Sequence, residues 1–379
     1  MSFDFSAAAL DHEFPVRRNL VYFNHATVAA LPRRVAEAVI AQTRNMAERG
    51  GADWRDWFAL HDATRAKIAA FLQAKPGEIA FAPSTSWGLN LIAQAVDWQP
   101  GDNVVGDDME FPANIHPWLN LARRGVELRL AKSRDGRITL DDIAAKVDAR
   151  TRLVTVSWVA FHNGWVYPID EIGTFCRERG ILFVLDAIQG LGALPLDLSR
   201  TPVDVVVADG HKWLLAPEAC AVLYVNEAAQ ARLAPPAAGW WNVKHGGSFR
   251  DYRLHWSDGA RRYEPGTLPT AQIAGLKAAI ELFDEIGMDV VQQRIQAVIA
   301  RLREMLLRQG WHIVSPKPLR SGILAAAPPS GDARYWARAL EQRGIIAVPR
   351  EGALRFSPHC YNDAGEVARI EQALTELGV

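Results

Sequence analysis

Apolar runs and amphipathic stretches alternate along most of the chain. From Pro32 the segment VAEAVIAQTRNMAERG carries apolar residues at helical spacing and closes on Gly50-Gly51. His61 to Leu72 has the same texture, so both predict amphipathic helices. Ile79-Ala80-Phe81 predicts a short strand that ends at Pro83-Ser84-Thr85-Ser86, and Trp87 begins a helix. Alternation then becomes regular. Strands are predicted at Asn103–Val105, Val126–Leu130, Leu153–Val159 and Ile181–Leu185, separated by helices at Pro112–Arg124, Leu140–Val147 and Ile169–Arg179. The run Val203–Ala208 is β-branched and continuous, the pattern of a strand buried on both faces. Such an order predicts an α/β fold whose mostly parallel sheet carries helices on both faces and holds ligands beyond the carboxyl ends of its strands.

From Gly239 to Thr270 the texture turns irregular and rich in Trp, Gly and Arg, before a helix at Ala271–Ile286. The remainder predicts a long helix, strands near Trp311–Val314, Gly322–Ala326 and Leu354–Ser357, a helix at Ala333–Arg343 and a terminal helix. The expected organisation is an N-terminal arm (1–20), a large domain (21–265) and a smaller α+β domain (266–379). Near the start, Val21-Tyr22-Phe23 leads into Asn24-His25-Ala26-Thr27, an arm suited to lining a cleft.

The 379 residues suffice for a sizeable core in about two domains. Charge is nearly balanced, with 42 basic and 43 acidic side chains, which points away from nucleic acid or an anionic membrane as partner. Cys176, Cys220 and Cys360 share no metal-ligand spacing and are too few for a disulfide framework, so no metal and a reducing, cytoplasmic setting are expected. The N-terminus lacks the basic start of a secretion signal, and no apolar run approaches the ~18 residues of a membrane span.

Four strand ends carry candidate chemistry. Ser84-Thr85-Ser86 at a helix start offers hydroxyls and free N–H groups to a phosphate, although an ordinary helix cap has the same residues. Asp186 closes an apolar strand and suits a cap, a metal ligand or the partner of a cation. Lys212, in Gly210-His211-Lys212-Trp213, follows a buried strand; burial favours its neutral, nucleophilic form, whereas a surface loop would leave it an ordinary cation. Arg355, in Leu354-Arg355-Phe356, has the shape to grip a carboxylate. Together, a phosphate cradle, an acid, a lysine and an arginine match the needs of pyridoxal phosphate.

These residues and their order carry a resemblance. Ser84-Thr85-Ser86, Asp186-x-x-Gln189, Gly210-His211-Lys212-Trp213, Glu264-x-Gly266-Thr267 and Arg355-x-Ser357-Pro358-His359-x-Tyr361-Asn362 resemble the class V aminotransferase family of fold type I enzymes, which includes cysteine desulfurases, isopenicillin N epimerase-like proteins and kynureninase. The resemblance spans Tyr22 to Asn362 and implies pyridoxal 5'-phosphate as cofactor. It implies that Lys212 is the Schiff-base lysine, that Asp186 pairs with the ring nitrogen and that Gln189 donates to the ring's phenolic oxygen. Thr85, Ser86 and His211 would serve the phosphate. Thr267 would reach it from the neighbouring subunit of a homodimer with a shared active site, and Trp240 and Trp241 would wall the substrate side from that neighbour. Arg355 would hold the α-carboxylate of an amino acid, with Asn24 and His25 near the substrate.

Several positions depart from the desulfurase pattern. Phe111 stands where those enzymes place a histidine, and a phenyl ring can stack on a pyridine but cannot move a proton. No cysteine precedes Arg355 in the segment Gly344–Gly352. Phe161 replaces an asparagine beside the cofactor, which makes Asn163 a candidate substitute. Asp209 occupies a position where relatives have a phosphate-binding serine. The expected activity is α-proton abstraction from an amino acid on an epimerase-like or lyase-like branch. A transaminase, a cysteine desulfurase, a catalytically idle cofactor- or partner-binding scaffold, and a binder of phosphate ligands at the Ser84–Ser86 turn without the cofactor are the alternatives.

Overall fold

Continuous apolar runs become the inner strands of one large sheet in the computed structural model, which describes residues 3–244 and 248–378. In chain order the first eight strands are β1 (Val21–Tyr22), β2 (Ile79–Ala82), β3 (Asn103–Asp107), β4 (Glu127–Ala131), β5 (Thr151–Ser157), β6 (Leu182–Asp186), β7 (Val205–Asp209) and β8 (Ala221–Val225). Seven of them form a sheet in the order β2-β8-β7-β6-β5-β3-β4. The five from β7 to β4 are parallel, and β8 is antiparallel to both its neighbours. Residues alternate between two cores, as the period-2 geometry of a strand requires. Phe183, Leu185, Val206 and Ala208 enter one core, and Leu182, Val184, Val205 and Val207 the other.

Some boundaries differ from the sequence expectation. The strand expected at Val203–Ala208 runs two residues later at its start and ends on Asp209, because the Asp204 carboxylate accepts the Phe183 N–H at 2.8 Å in place of a ladder bond. The helix expected at Pro112–Arg124 is broken into short pieces, Pro112–Asn114, His116–Leu119 and Asn120–Arg124. Pro117 lacks a donor, and the Asn114 side chain is held by Thr155 and Trp118. Strand β8, which inserts between β2 and β7, had no counterpart among the expected elements.

The remaining strands are β9 (His312–Ile313), β10 (Leu324–Ala327), β11 (Ile345–Ile346), β12 (Val348–Arg350) and β13 (Ala353–Phe356). Four of these make an antiparallel sheet in the order β12-β13-β10-β9. The fifth, β11, pairs with β1, and a bridge from Asn24 to Ser357 continues the contact to the end of β13. The arm after β1 is thereby drawn to the carboxyl ends of β6 and β7. Helix Thr270–Ile286 packs against helices Arg33–Arg49 and Trp54–Leu72. Among the described residues no helix is long and apolar enough to cross a membrane.

Candidate active site

At the carboxyl ends of β6 and β7 lies a cavity of about 270 Å³. Its wall brings together Thr85, Ser86, Phe111, Asp186, Gln189, His211, Lys212 and Arg355, eight residues from distant parts of the chain. The helix Thr85–Ala95 supplies the first side. Ser84 caps it by accepting the Trp87 N–H, so the N–H groups of Thr85 and Ser86 remain unspent by the helix. Gly88 allows the helix to lie directly on β7, since a Cβ there would meet Val207 Cγ1 at 2.5 Å. That close approach sets Thr85 Oγ1 2.9 Å from the Asp209 N–H, which donates to it.

Lys212 follows β7 in a tight turn closed by the Ala216 N–H to the Gly210 carbonyl and the Leu215 N–H to the Lys212 carbonyl. Burial pulls its ammonium down to about 8, the charge of Asp186 resisting and that of Arg355 adding to the effect. A neutral amine is therefore accessible far below the usual lysine range. Nζ lies 5.6 Å from the centre of the Phe111 ring, which is 45% exposed and meets Phe161 edge-on.

Asp186 is 2% exposed, and burial pushes its carboxyl up to about 6 against the Ile188 N–H, which donates to Oδ1 at 3.0 Å. Behind it sits a buried acid pair that the sequence reading did not single out. Glu110 accepts from the N–H and the hydroxyl of Ser157, the residue opposite Asp186 in the β5–β6 register. Asp107 accepts the Tyr167 hydroxyl at 2.9 Å. Burial raises both acids, Asp107 to about 6, and for Glu110 the charge of Asp107 adds to burial and raises it well above its ordinary range. Only a cationic partner in the cavity would hold Asp186 firmly ionised.

Gln189 is oriented by two fixed contacts. The Trp213 indole donates to its Oε1 at 2.8 Å, so Nε2 must face the Ala26 carbonyl at 3.0 Å. One Nε2 hydrogen remains for a ligand. Asp209 is turned to its own neighbours: Oδ1 accepts the Gly210 N–H, and Oδ2 lies 3.1 Å from His211 Nδ1 without hydrogen-bond alignment.

Arg355 is the most telling side chain. It is 1% exposed, its terminal nitrogens donate to the Phe161 carbonyl and the Thr27 hydroxyl, both at 2.6 Å, and its Nε has no partner. Burial, with the charge of Arg350 added, draws it down to about 9. Arg65, also buried, is by contrast matched by two bonds to Glu264. A buried guanidinium without an acid is costly unless a ligand supplies the anion.

Six residues singled out in the sequence lie elsewhere. Asn163 is not in the cavity wall; its amide braces a loop by donating to the Gly136 carbonyl and accepting the Trp165 N–H, and Phe161 lines the wall instead. Asn24 forms a backbone bridge to Ser357. His25 is a clamp: Nδ1 faces the Ser357 carbonyl at 2.8 Å and so carries the proton, which leaves Nε2 to accept from the Tyr361 hydroxyl at 2.7 Å. It is the next two residues of the arm, Ala26 and Thr27, that reach the wall. Thr267, Trp240 and Trp241 share a separate surface hollow beside Phe58. Arg350 and the Phe161 carbonyl were missed by sequence reasoning; the first depends on a hairpin register and the second is a backbone group, so no motif carries either.

This set of groups fits pyridoxal phosphate. Lys212 would hold the aldehyde, Asp186 the ring nitrogen and Gln189 the phenolic oxygen, while the start of the helix at Thr85 and Ser86 would take the phosphate. Among the described residues no group of His, Cys, Asp or Glu is arranged to hold a metal ion.

Comparison with known proteins points to the same cofactor. An isopenicillin N epimerase of Amycolatopsis lactamdurans is 31% identical, the match covering 93% of this chain and 94% of that protein. A probable cysteine desulfurase of Pyrococcus abyssi is 27% identical over 96% of both chains. Two structures of C-DES, one with glycine covalently linked to the PLP cofactor and one of the cystine C–S lyase with cysteine persulfide, superpose at a TM-score of 0.91 and 25% identity. They cover 97% and 96% of this chain, and each is covered to 99%. Fold and site together define a pyridoxal-phosphate-dependent enzyme of fold type I. The family whose model matches residues 21–370 is Aminotransferase class-V, and the chain belongs to it.

Proposed function

We propose that this enzyme abstracts the α-proton of a free amino acid on an epimerase-like or lyase-like course. The observation that carries the reading is one cavity joining Lys212, Asp186 and Arg355 with no cysteine in its wall. All three cysteines of the chain are buried and free, and burial pushes the Cys176 and Cys360 thiols up to about 12. A thiol of that kind is a poor acceptor of sulfur, so persulfide-forming desulfuration lacks its nucleophile. Phe111 and Phe161 carry no titratable group, and Asp186, Asp209 and His211 are read as serving the cofactor, so Lys212 is the base that moves protons at the α-carbon. When bound, the cofactor supplies an electron sink for the charge left by the departing proton. Arg355 orients the substrate through its carboxylate, and Thr27 and the Phe161 carbonyl hold Arg355 in place.

An assay of the holoenzyme against a panel of L-amino acids separates the outcomes. Formation of a keto acid with a released side-chain fragment, or of the D-enantiomer, is expected. Stoichiometric transfer of the amino group to an added keto acid, with neither of those products, would replace this reading by a transaminase.

The active site is read as shared between two copies of the chain. Trp240, Trp241 and Thr267 lie outside the cavity of their own chain, close to a loop on which Phe249, Tyr252 and Leu254 are 73%, 89% and 57% exposed. Apolar side chains displayed so openly suit a covered interface. Light scattering should report twice the chain mass; a fully active monomer would remove the shared-site part of the reading.

A further inference from the structure

Arg350 has no assigned task, and its placement is unusual. It ends β12, and the two-residue turn Glu351-Gly352, with φ of 45° and 80°, joins it to β13. The register pairs Val348 with Arg355 and Arg350 with Ala353. Residues two apart on a strand share a face, so Arg350 and Arg355 rise from the same face as a diagonal cross-strand pair. Both line the cavity.

Two like charges in that relation repel, and the repulsion reaches further: the charge of Arg350 lowers the proton affinity of both Arg355 and Lys212. Among the described residues neither arginine forms an ion pair with an acid. Arg350 donates only to the carbonyl of its neighbour Pro349, at 3.1 Å. The acids of the wall, Asp186 and Asp209, belong to the cofactor end and are held by the Ile188 and Gly210 N–H groups. A cofactor phosphate is accounted for by the helix start at Thr85. One α-carboxylate satisfies Arg355 and leaves Arg350 with a charge still unmatched.

Resting on the reading of the cavity as an amino-acid site, we propose that Arg350 is a specificity-determining residue that receives a second carboxylate, so that the preferred substrates are α-amino acids with an acidic side chain. Discrimination would come from both directions. An acidic side chain gains a charge-assisted hydrogen bond, and a neutral one leaves the arginine pair mutually repelling.

The test is titration of the holoenzyme by calorimetry with L-aspartate and L-asparagine, repeated with L-glutamate and L-glutamine. In the unaltered protein the acid of at least one pair should bind about tenfold or more tighter than its amide. Arg350→Gln should bring that ratio to about one, and Arg350→Lys, which keeps the charge, should restore part of it. Arg355→Gln should weaken acid and amide alike. A ratio near one in the unaltered protein, or a ratio that survives Arg350→Gln, overturns the proposal. Equal weakening of acid and amide by Arg350→Gln also overturns it and assigns Arg350 to the α-carboxylate. Failure of every amino acid to bind while the cofactor is in place overturns the amino-acid site itself, a result distinct from the others.

Discussion

Lys212→Ala is expected to lower turnover by about a thousandfold or more while the chain still folds and takes up the cofactor without a covalent bond. The magnitude follows from losing a nucleophile and a proton-transfer base in one side chain. Folding should persist because the turn around Lys212 is closed by backbone bonds, Ala216 to Gly210 and Leu215 to the Lys212 carbonyl, which an alanine leaves intact. The same residue sets a pH dependence. An ammonium cannot attack an aldehyde, and Lys212 gives up its proton near about 8. The rate of cofactor capture by the cofactor-free protein should therefore rise with pH and level off above about 8, well short of the usual lysine range. Stopped-flow absorbance measures this directly. Turnover within tenfold of the unaltered enzyme, or capture that does not change between pH 7 and 9, would contradict the role.

Asp186→Asn is expected to cost about a hundredfold or more in turnover with cofactor binding largely kept. An amide fills the same space at the end of β6 and can still accept the Ile188 N–H. What it cannot do is hold a proton on the ring nitrogen by charge, and a fixed charge aimed at the reacting system in a buried site contributes on that scale. The surroundings sharpen the expectation. Burial has already raised Asp186 to about 6, and Glu110 and Asp107 behind it offer no compensating positive charge. Its ionised form thus depends on the cation it faces. The cofactor's absorption band should shift in the variant, which a merely structural role would not produce; activity within a few fold and an unchanged spectrum would remove Asp186 from the machinery.

Why some of this was legible from residues alone has a physical basis. Asp186 ends an apolar run, Arg355 interrupts one and Lys212 stands in the turn just beyond one, and a charged residue in such a place must be matched by something. The parallel sheet was equally visible, because strands covered on both faces lose the polar alternation of a one-sided sheet. Contributions made by the backbone were not. The Ala26 and Phe161 carbonyls fix Gln189 and Arg355, yet any residue type has a carbonyl, and in the arm the conspicuous side chains are those of Asn24 and His25, not of Ala26 and Thr27. Arg350 depends on the register of a hairpin, Asn163 turns inward to a loop, and Asp107 and Glu110, only three residues apart at the end of β3, are buried by the distant Ser157 and Tyr167. Strand β8 looks like any short apolar run until β2 and β7 flank it. Pro117 marks the interruption of the Pro112–Arg124 helix, a signal that outweighs helical periodicity there.

Lys212, as the residue that would hold the cofactor, is the centre of the proposed chemistry. Borohydride reduction of the purified holoprotein followed by peptide mapping tests it most directly: the visible absorbance should bleach and a single stable cofactor label should be found on Lys212. A label on another lysine, or a protein that takes up no pyridoxal phosphate, would contradict the account.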